Sequence, residues 1–428
     1  MIARLTATFL LLPFLCAGAD VSWQEVLQRL RANVGQQLSR AANYTCVESV
    51  DRNYFLESFA NRFGCNNPER RPTRLYMHDR LRLDVAVSEG HEIFSWHGGK
   101  SFSSKGIDDI VRSGPISSGS FVGYLQNIFF SPGVTIRFAE HISSIDGDFY
   151  AFDFQVPQGS SRYQISNGKK RWIVPYHGKF SGSGTNYELT SMQLIVDEIP
   201  PESNLCSVGS KVEYQLVNIA GKASLIPKSY VLDIGSSDHV HTTSRSDYTQ
   251  CREFRGESTL SFDVNDSPIA QQQTPVIHDE WLPAGTTLHV RLRTPIDDRT
   301  SFTGDPVEGT LVDPVKMKGL NIIIPKDAVL YGVITKLEAY TEPFKHYLAS
   351  IRFQRLTFGP NSFLLDALPR SSDADRKWLD EAYGRRIPPD IAADLNSGLF
   401  VWTSNHFHKD QHFTADWKTK APAADSPE

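Results

Sequence analysis

Three histidines close to the C-terminal end, His406, His408 and His412, stand two and four residues apart, and His239 and His241 repeat the two-residue spacing. Side chains two apart on a strand share a face, so either pair is spaced to hold a divalent cation together with a further ligand. No carboxylate or cysteine stands beside them at a suitable ligand spacing, so the sequence assigns no metal and no cofactor. Both groups read as exposed strand and tail histidines. Catalytic patterns are equally scarce. There is no G-x-S-x-G, and "HGGK" at 97–100 shares only its first three letters with an oxyanion-loop motif, which a strand-ending turn explains without chemistry. The carboxylate pairs Asp108-Asp109 and Asp197-Glu198 are adjacent, which points their side chains in different directions rather than across a scissile bond. No enzyme is expected.

Cysteine chemistry depends on the compartment, and the first nineteen residues address that. Arg4, the apolar run Phe9 to Leu15, and Ala17-Gly18-Ala19 form the three regions of a secretory signal cut after Ala19. The run is shorter than the ~20 residues that span a bilayer, so the expected mature chain has no transmembrane segment and is periplasmic or secreted. Loss of Cys16 leaves Cys46, Cys65, Cys206 and Cys251, none in a C-x-x-C pair, so two structural disulfides are expected. Net charge is −5 for the 428 residues, with no basic field of the size nucleic acid requires. Arg70, Arg71, Arg74, Arg80 and Arg82 do cluster, either as the wet face of a strand and its loop or as a contact for an acidic partner or anionic lipid.

These residues need elements to carry them. Ser22 caps a helix whose Trp23, Val26, Leu27, Leu30, Val34 and Leu38 lie at helical spacing. Strands are expected at 44–56, 74–88 and 92–96, then a short helix around Ile107 to Val111. A second helix should begin at Ser117 or Ser118 and stop at Ser131-Pro132-Gly133; Phe121, Tyr124, Leu125, Ile128 and Phe129 form its stripe at i, i+3, i+4, i+7 and i+8. Strands resume at 134–144, 148–157, 161–167, 170–175, 187–197, 210–219, 223–234, 239–250 and 253–263. Their short turns make an antiparallel meander of eleven or twelve strands with helices over one face. If 210–219, 223–234 and 239–250 run up, down and up, Cys206 and Cys251 sit about 40 Å apart at ~3.3 Å per residue, beyond disulfide reach. Cys46 with Cys251 and Cys65 with Cys206 is the preferred pairing; Cys46 with Cys206 and Cys65 with Cys251 stays open. Residues 264–280 form a polar linker. Beyond it, "LPAGTTLHVRL" at 282–292 and "IPKDAVLYGVI" at 324–334 repeat one strand entrance, with Leu288, Val290 and Leu292 matching Leu330, Gly332 and Ile334. With strands near 306–315, 347–358 and 362–368 and a partly helical insertion at 370–395, residues 281–420 suggest a small barrel or sandwich, followed by a frayed tail at 421–428. The fold class is therefore mainly β (α+β): a large curved antiparallel half-barrel over 20–263, then a small β-barrel.

The order of helix, strands, paired helices and long antiparallel run over residues 20–263 resembles the LolA and RseB-type periplasmic carriers. "LPAGTTLHVRLRTPI" with "IIPKDAVLYGVI" resembles the C-terminal barrel of TrbI-type secretion-channel subunits, without an apolar counterpart of their membrane-crossing antenna in 370–395. Joined behind a signal peptide, the two modules resemble a group of exported bacterial proteins of unassigned function. The carrier resemblance implies that Phe121, Tyr124, Leu125, Ile128 and Phe129 form a lid over an acyl chain, with Phe152, Phe154 and Trp172 as the floor. The same stripe packs equally well straight onto the sheet as ordinary core. Two functions follow: binding or sensing of a lipid-like or lipoprotein ligand, with the barrel docking to an envelope partner, or a structural scaffold of the envelope with no cavity.

Overall fold

A computed structural model describes residues 22–39, 43–57, 65, 72–253 and 276–421, apart from residues 89, 100–101, 104–105, 112, 146, 318–322, 385–386 and 388. The leader, Arg70 and Arg71, the strand expected over 253–263 beyond Glu253, most of the linker, and the tail beyond Ala421 lie outside the described residues.

The apolar spacing from Trp23 folds as α1 (Trp23–Ser39), which buries Val26, Leu30 and Val34. Twelve strands follow: β1 (Tyr44–Glu57), β2 (Pro72–Ser88), β3 (His91–Trp96), β4 (Thr135–Ser144), β5 (Gly147–Val156), β6 (Gln164–Ser166), β7 (Arg171–Ile173), β8 (Tyr176–Ser183), β9 (Leu189–Val196), β10 (Leu205–Ile219), β11 (Lys222–Ser236) and β12 (Val240–Glu253). Ten of them pair in the order β3-β2-β1-β12-β11-β10-β9-β8-β5-β4, every pair antiparallel. The last strand thus returns beside the first. The count is below the eleven or twelve expected because β6 and β7 pair only with each other.

Strand β8, "YHGKFSGS", has no counterpart in the sequence reading, since its glycines break the apolar alternation. Packing explains them. A Cβ on Gly182 would stand 2.0 Å from Leu30 Cδ1, and one on Gly178 would stand 1.9 Å from the carbonyl oxygen of Gln193. Glycine here lets α1 settle onto the sheet, and full burial of a leucine such as Leu30 is worth about 1.5–3 kcal/mol.

The middle helix, α2 (Gly123–Phe130), starts five or six residues later than its expected onset at Ser117 or Ser118. The reason is local. Gly119 has φ +97°, outside the right-handed helical region, and the Tyr124 amide reaches back to the Gly119 carbonyl at 2.9 Å. The expected helix near 107–111 is a single 3-10 turn at Ile107–Asp109.

The second half contains β13 (Val276–Trp281), β14 (Thr287–Leu292), β15 (Ile296–Asp297), β16 (Pro306–Leu311), β17 (Val315–Lys316), β18 (Ile323–Ile324), β19 (Val329–Tyr340), β20 (His346–Phe358), β21 (Asn361–Pro369), β22 (Phe400–Trp402), β23 (His408–Lys409) and β24 (Thr414–Thr419). Six of these close a ring, β14-β16-β19-β20-β21-β24-β14, with all pairs antiparallel; β13 adds to β21 in parallel. The repeated entrance is one turn used twice. Thr286 donates to the Pro283 carbonyl and Ala328 to the Pro325 carbonyl, each at 3.4 Å, with positive φ at Gly285 and Asp327. Leu288, Val290, Leu292, Leu330 and Ile334 then all point into the barrel core.

The insertion between β21 and β22 holds α3 (Asp373–Tyr383), closed by a Ser372–Asp375 capping box, and α4 (Pro389–Ser397). Leu379, Ile391 and Leu395 from these helices pack with Leu399, Tyr340 and Leu348 against Tyr54 and Met77 of the first sheet. Strand β19 also outruns the barrel, pairing Glu338, Ala339 and Tyr340 with Asp79, His78 and Met77 of β2. The arginines of β2 meet the chain's own second half: Arg80 and Arg82 both lie 3.8 Å from the centroid of the Phe302 ring, Arg82 pairs with Asp305 at 2.9 Å, and Arg74 with Glu342 at 3.2 Å.

Candidate functional site

Helix α2 lies across the inner face of the first sheet. Phe121 meets Tyr248 of β12 at 4.9 Å between ring centroids and Tyr44 of β1 at 6.0 Å, Tyr124 meets Tyr230 of β11 at 6.4 Å, and Phe129 meets Phe180 of β8 at 4.8 Å. Phe180 in turn stacks on Phe152 and Phe154 of β5, at 5.3 and 6.2 Å. The structure therefore brings Phe121, Tyr124, Leu125, Ile128, Phe129, Phe152 and Phe154 into one core cluster, none more than 6% exposed. Their side chains touch one another. Trp172 packs against the edge of this cluster, half-buried on the β6–β7 hairpin with the Lys170 ammonium 5.3 Å from its ring.

A polar set ties this apolar plug to the sheet, and sequence reading missed it. The Glu92 carboxylate of β3 accepts from the backbone N–H groups of Gly119 at 2.6 Å, Phe121 at 3.0 Å and Val122 at 3.3 Å. An acid at that place also complements the positive end of the helix. Tyr230 donates to Ser117 Oγ at 2.9 Å, Tyr124 lies 3.0 Å from the same oxygen, Tyr214 donates to the Ser120 carbonyl at 3.0 Å, and Tyr176 to Asn127 Oδ1 at 2.8 Å. Burial pushes the phenols of Tyr124, Tyr214 and Tyr248 far above their ordinary range, so they act as neutral donors. Tyr248 donates to Glu48 Oε1 at 3.2 Å. Burial raises the Glu48 carboxyl to about 7 against the lowering effect of hydrogen bonds from Ser246 and Tyr248. Glu92 is raised as well, its burial outweighing the three backbone donors.

One further contact reaches this region from the junction of the two halves. Arg52 and Asp79 form a fully buried two-point ion pair, and Arg52 Nη1 also donates to the Ser113 carbonyl at 2.8 Å, ahead of α2.

The remaining sequence candidates fall elsewhere. The Cys46–Cys251 bond joins β1 to β12, and the Cys65–Cys206 bond fastens Cys65 to the start of β10. Beside the latter lies a surface groove of about 720 Å³, floored by Ile195, Ile199, Leu205 and Val208. His97 Nδ1 lies 2.8 Å from Asp84 Oδ1, and the Gly98 amide donates to Asp84 Oδ2 at 2.9 Å, which makes the His97-Gly98 stretch a tied strand-ending turn. His241 contacts Asp233 at 3.0 Å. At the β4–β5 turn Ser143 and His141 both contact Asp148, all three exposed. There the carboxylate stands between hydroxyl and imidazole, whereas general-base activation needs the imidazole between the other two. His406 and His408 meet Asp297, a carboxylate 111 positions from His408 in the chain. Sequence spacing alone gives no sign of that contact.

No family model and no curated protein matches this chain. Among solved structures it is similar to a LolA superfamily protein from Nitrosomonas europaea, at 11% identity over 56% of this chain and 96% of that one, with a TM-score of 0.26. It is also similar to a putative outer membrane lipoprotein-sorting protein domain from Vibrio parahaemolyticus, at 9% identity over 54% of this chain and 94% of that one, with a TM-score of 0.26.

Proposed function

We propose that this chain is a non-enzymatic, exported protein of the cell envelope. In this reading α2 and the inner face of the half-barrel hold one apolar chain of a lipid or lipoprotein, and the C-terminal barrel of the TrbI type docks the molecule to another envelope component. One observation carries it. Helix α2 is eight residues long, bears an unbroken apolar stripe on the sheet, and is bounded by Gly119 and Gly133, both at positive φ. Such a segment can swing without rebuilding the sheet. Energies are balanced too: about 15 methylenes at ~0.8 kcal/mol each offer about 12 kcal/mol, the scale of four or five apolar side chains at ~1.5–3 kcal/mol apiece. An acyl chain is therefore a fair exchange for the stripe it displaces. The two disulfides suit an oxidising compartment, and among the described residues no helix is long and apolar enough to cross a membrane.

A second reading, a scaffold without a cavity, is favoured by the packing itself, since Ile128, Phe152 and Phe180 have no exposed surface. Mass spectrometry of organic extracts from natively purified protein separates the two. The carrier reading expects a stoichiometric lipid that Phe121→Asp removes while near-ultraviolet circular dichroism stays native. Lipid-free wild-type protein supports the scaffold, and an unchanged lipid content in the folded variant refutes α2 as the lid.

A further inference from the structure

The ribbon formed by β15 and β23 sets Asp297 directly opposite His408, with Ile296 opposite Lys409. Cross-strand partners stand close enough for their side chains to meet. His406, two residues ahead of His408, turns its ring to the same side, and the two imidazoles stack with centroids 6.1 Å apart. Asp297 Oδ2 is the point of convergence: His406 Nε2 is 3.2 Å from it and His408 Nδ1 is 3.1 Å. One ligand atom from each of the three residues can be chosen so that all lie within 4.8 Å of one another.

We propose that Asp297, His406 and His408 bind a zinc-class divalent cation, with Asp298 as the carboxylate that orients His406. Geometry is the first argument. Two ligands ~2.0–2.1 Å from a tetrahedral ion are about 3.3–3.4 Å apart, close to the two nitrogen-to-oxygen distances found here. The setting of His406 is the second. His406 Nδ1 abuts Asp298 Oδ1, and both are buried atoms that make no hydrogen bond of good geometry. The other ring nitrogen, Nε2, faces Asp297 Oδ2. Metal-bound histidines almost always give their other ring nitrogen to a carboxylate, carbonyl or water, the place Asp298 holds. The Asp297 carboxylate is also fixed from behind: its Oδ1 accepts from the Arg299 amide at 2.9 Å, which leaves Oδ2 for the imidazoles. Two imidazoles and one carboxylate suit zinc and its first-row neighbours better than calcium or magnesium. The side chain of His408 is 49% exposed, so a fourth position opens to water or to a group on a partner.

The test uses the full chain, expressed without a histidine tag, stripped with chelator and titrated with zinc sulfate in a calorimeter. One zinc per chain and a raised melting temperature are expected. The double variant His406→Ala, His408→Ala should bind less than about a tenth of an equivalent while matching the stripped wild type in melting temperature. Asp298→Asn should keep the stoichiometry and weaken affinity by about ten- to a hundred-fold. Zinc uptake that the double variant retains in full, or none by the wild type, overturns the proposal. Should the double variant not fold, cobalt on the wild type decides: intense visible bands of a tetrahedral ion that zinc displaces support the site, and the weak spectrum of the aqua ion refutes it.

Discussion

Glu48 is an acid on the inward side of β1, 2% exposed, with its carboxyl raised by burial to about 7. In the unfolded chain such a group titrates near 4.3. Below that pH both states hold the proton, and between the two values only the folded state keeps it, so folding is progressively weakened as pH rises through this window. The loss amounts to about 3 kcal/mol by pH 7–8. Glu48→Gln keeps shape and hydrogen bonds but carries no charge. Its melting temperature should match wild type near pH 4 and exceed it by several degrees at pH 8; parallel curves for the two proteins across that range would show that Glu48 is not what titrates. Alternation places Tyr44, Cys46, Glu48, Val50, Arg52 and Tyr54 on the buried side of β1. Two charged residues lie among them, so side-chain polarity alone does not separate the wet face from the dry one. The acid that caps α2, Glu92, was hidden for a different reason, since its three donors come from backbone about thirty positions away.

Helix α2 depends on that acid more than on its own length. Eight residues are too few to hold a helix in water, so the stripe and the Glu92 anchor must do it. Glu92→Ala removes three acceptor contacts, and hydrogen bonds to charged groups contribute about 1.5–3 kcal/mol. Amide exchange at Gly119, Phe121 and Val122 should then quicken by about ten- to a hundred-fold while β10 and β11 keep their protection. Exchange that stays at the wild-type rate would place the restraint wholly in the stripe, and lipid loading, if it opens α2, should quicken the same amides in the wild type. The stripe itself was legible in sequence because burial repeats at i, i+3, i+4, i+7 and i+8 regardless of where the helix starts. Its onset was not, because a carboxylate from another strand and the Gly119 turn decide it. Strand β8 escaped for the complementary reason: its glycines answer to Leu30 and Gln193, which are distant in sequence.

At the scale of the molecule, the two halves are joined by more than a linker. Sheet pairing between β2 and β19, the third core built on α3 and α4, and the contacts of Arg74, Arg80 and Arg82 all cross the junction. The repeated strand entrance made the barrel legible, and the meander made the half-barrel legible. Their union was not, because the arginines on β2 look the same whether they face water or Phe302. The Arg52–Asp79 pair, with both partners on the first sheet, braces β1 and β2 beside the junction without crossing it, and removing one partner of such a buried pair typically costs about 3–5 kcal/mol. The shared sheet pairing and the third core make the halves unfold together, so calorimetry of the full chain should give a single transition. Leu379→Asp with Leu395→Asp places two charges in the third core while leaving the half-barrel core and the ring of six strands intact, and should split that transition into two. Two transitions already in the wild type would mean that the sheet pairing and third core at the junction are too weak to couple the halves.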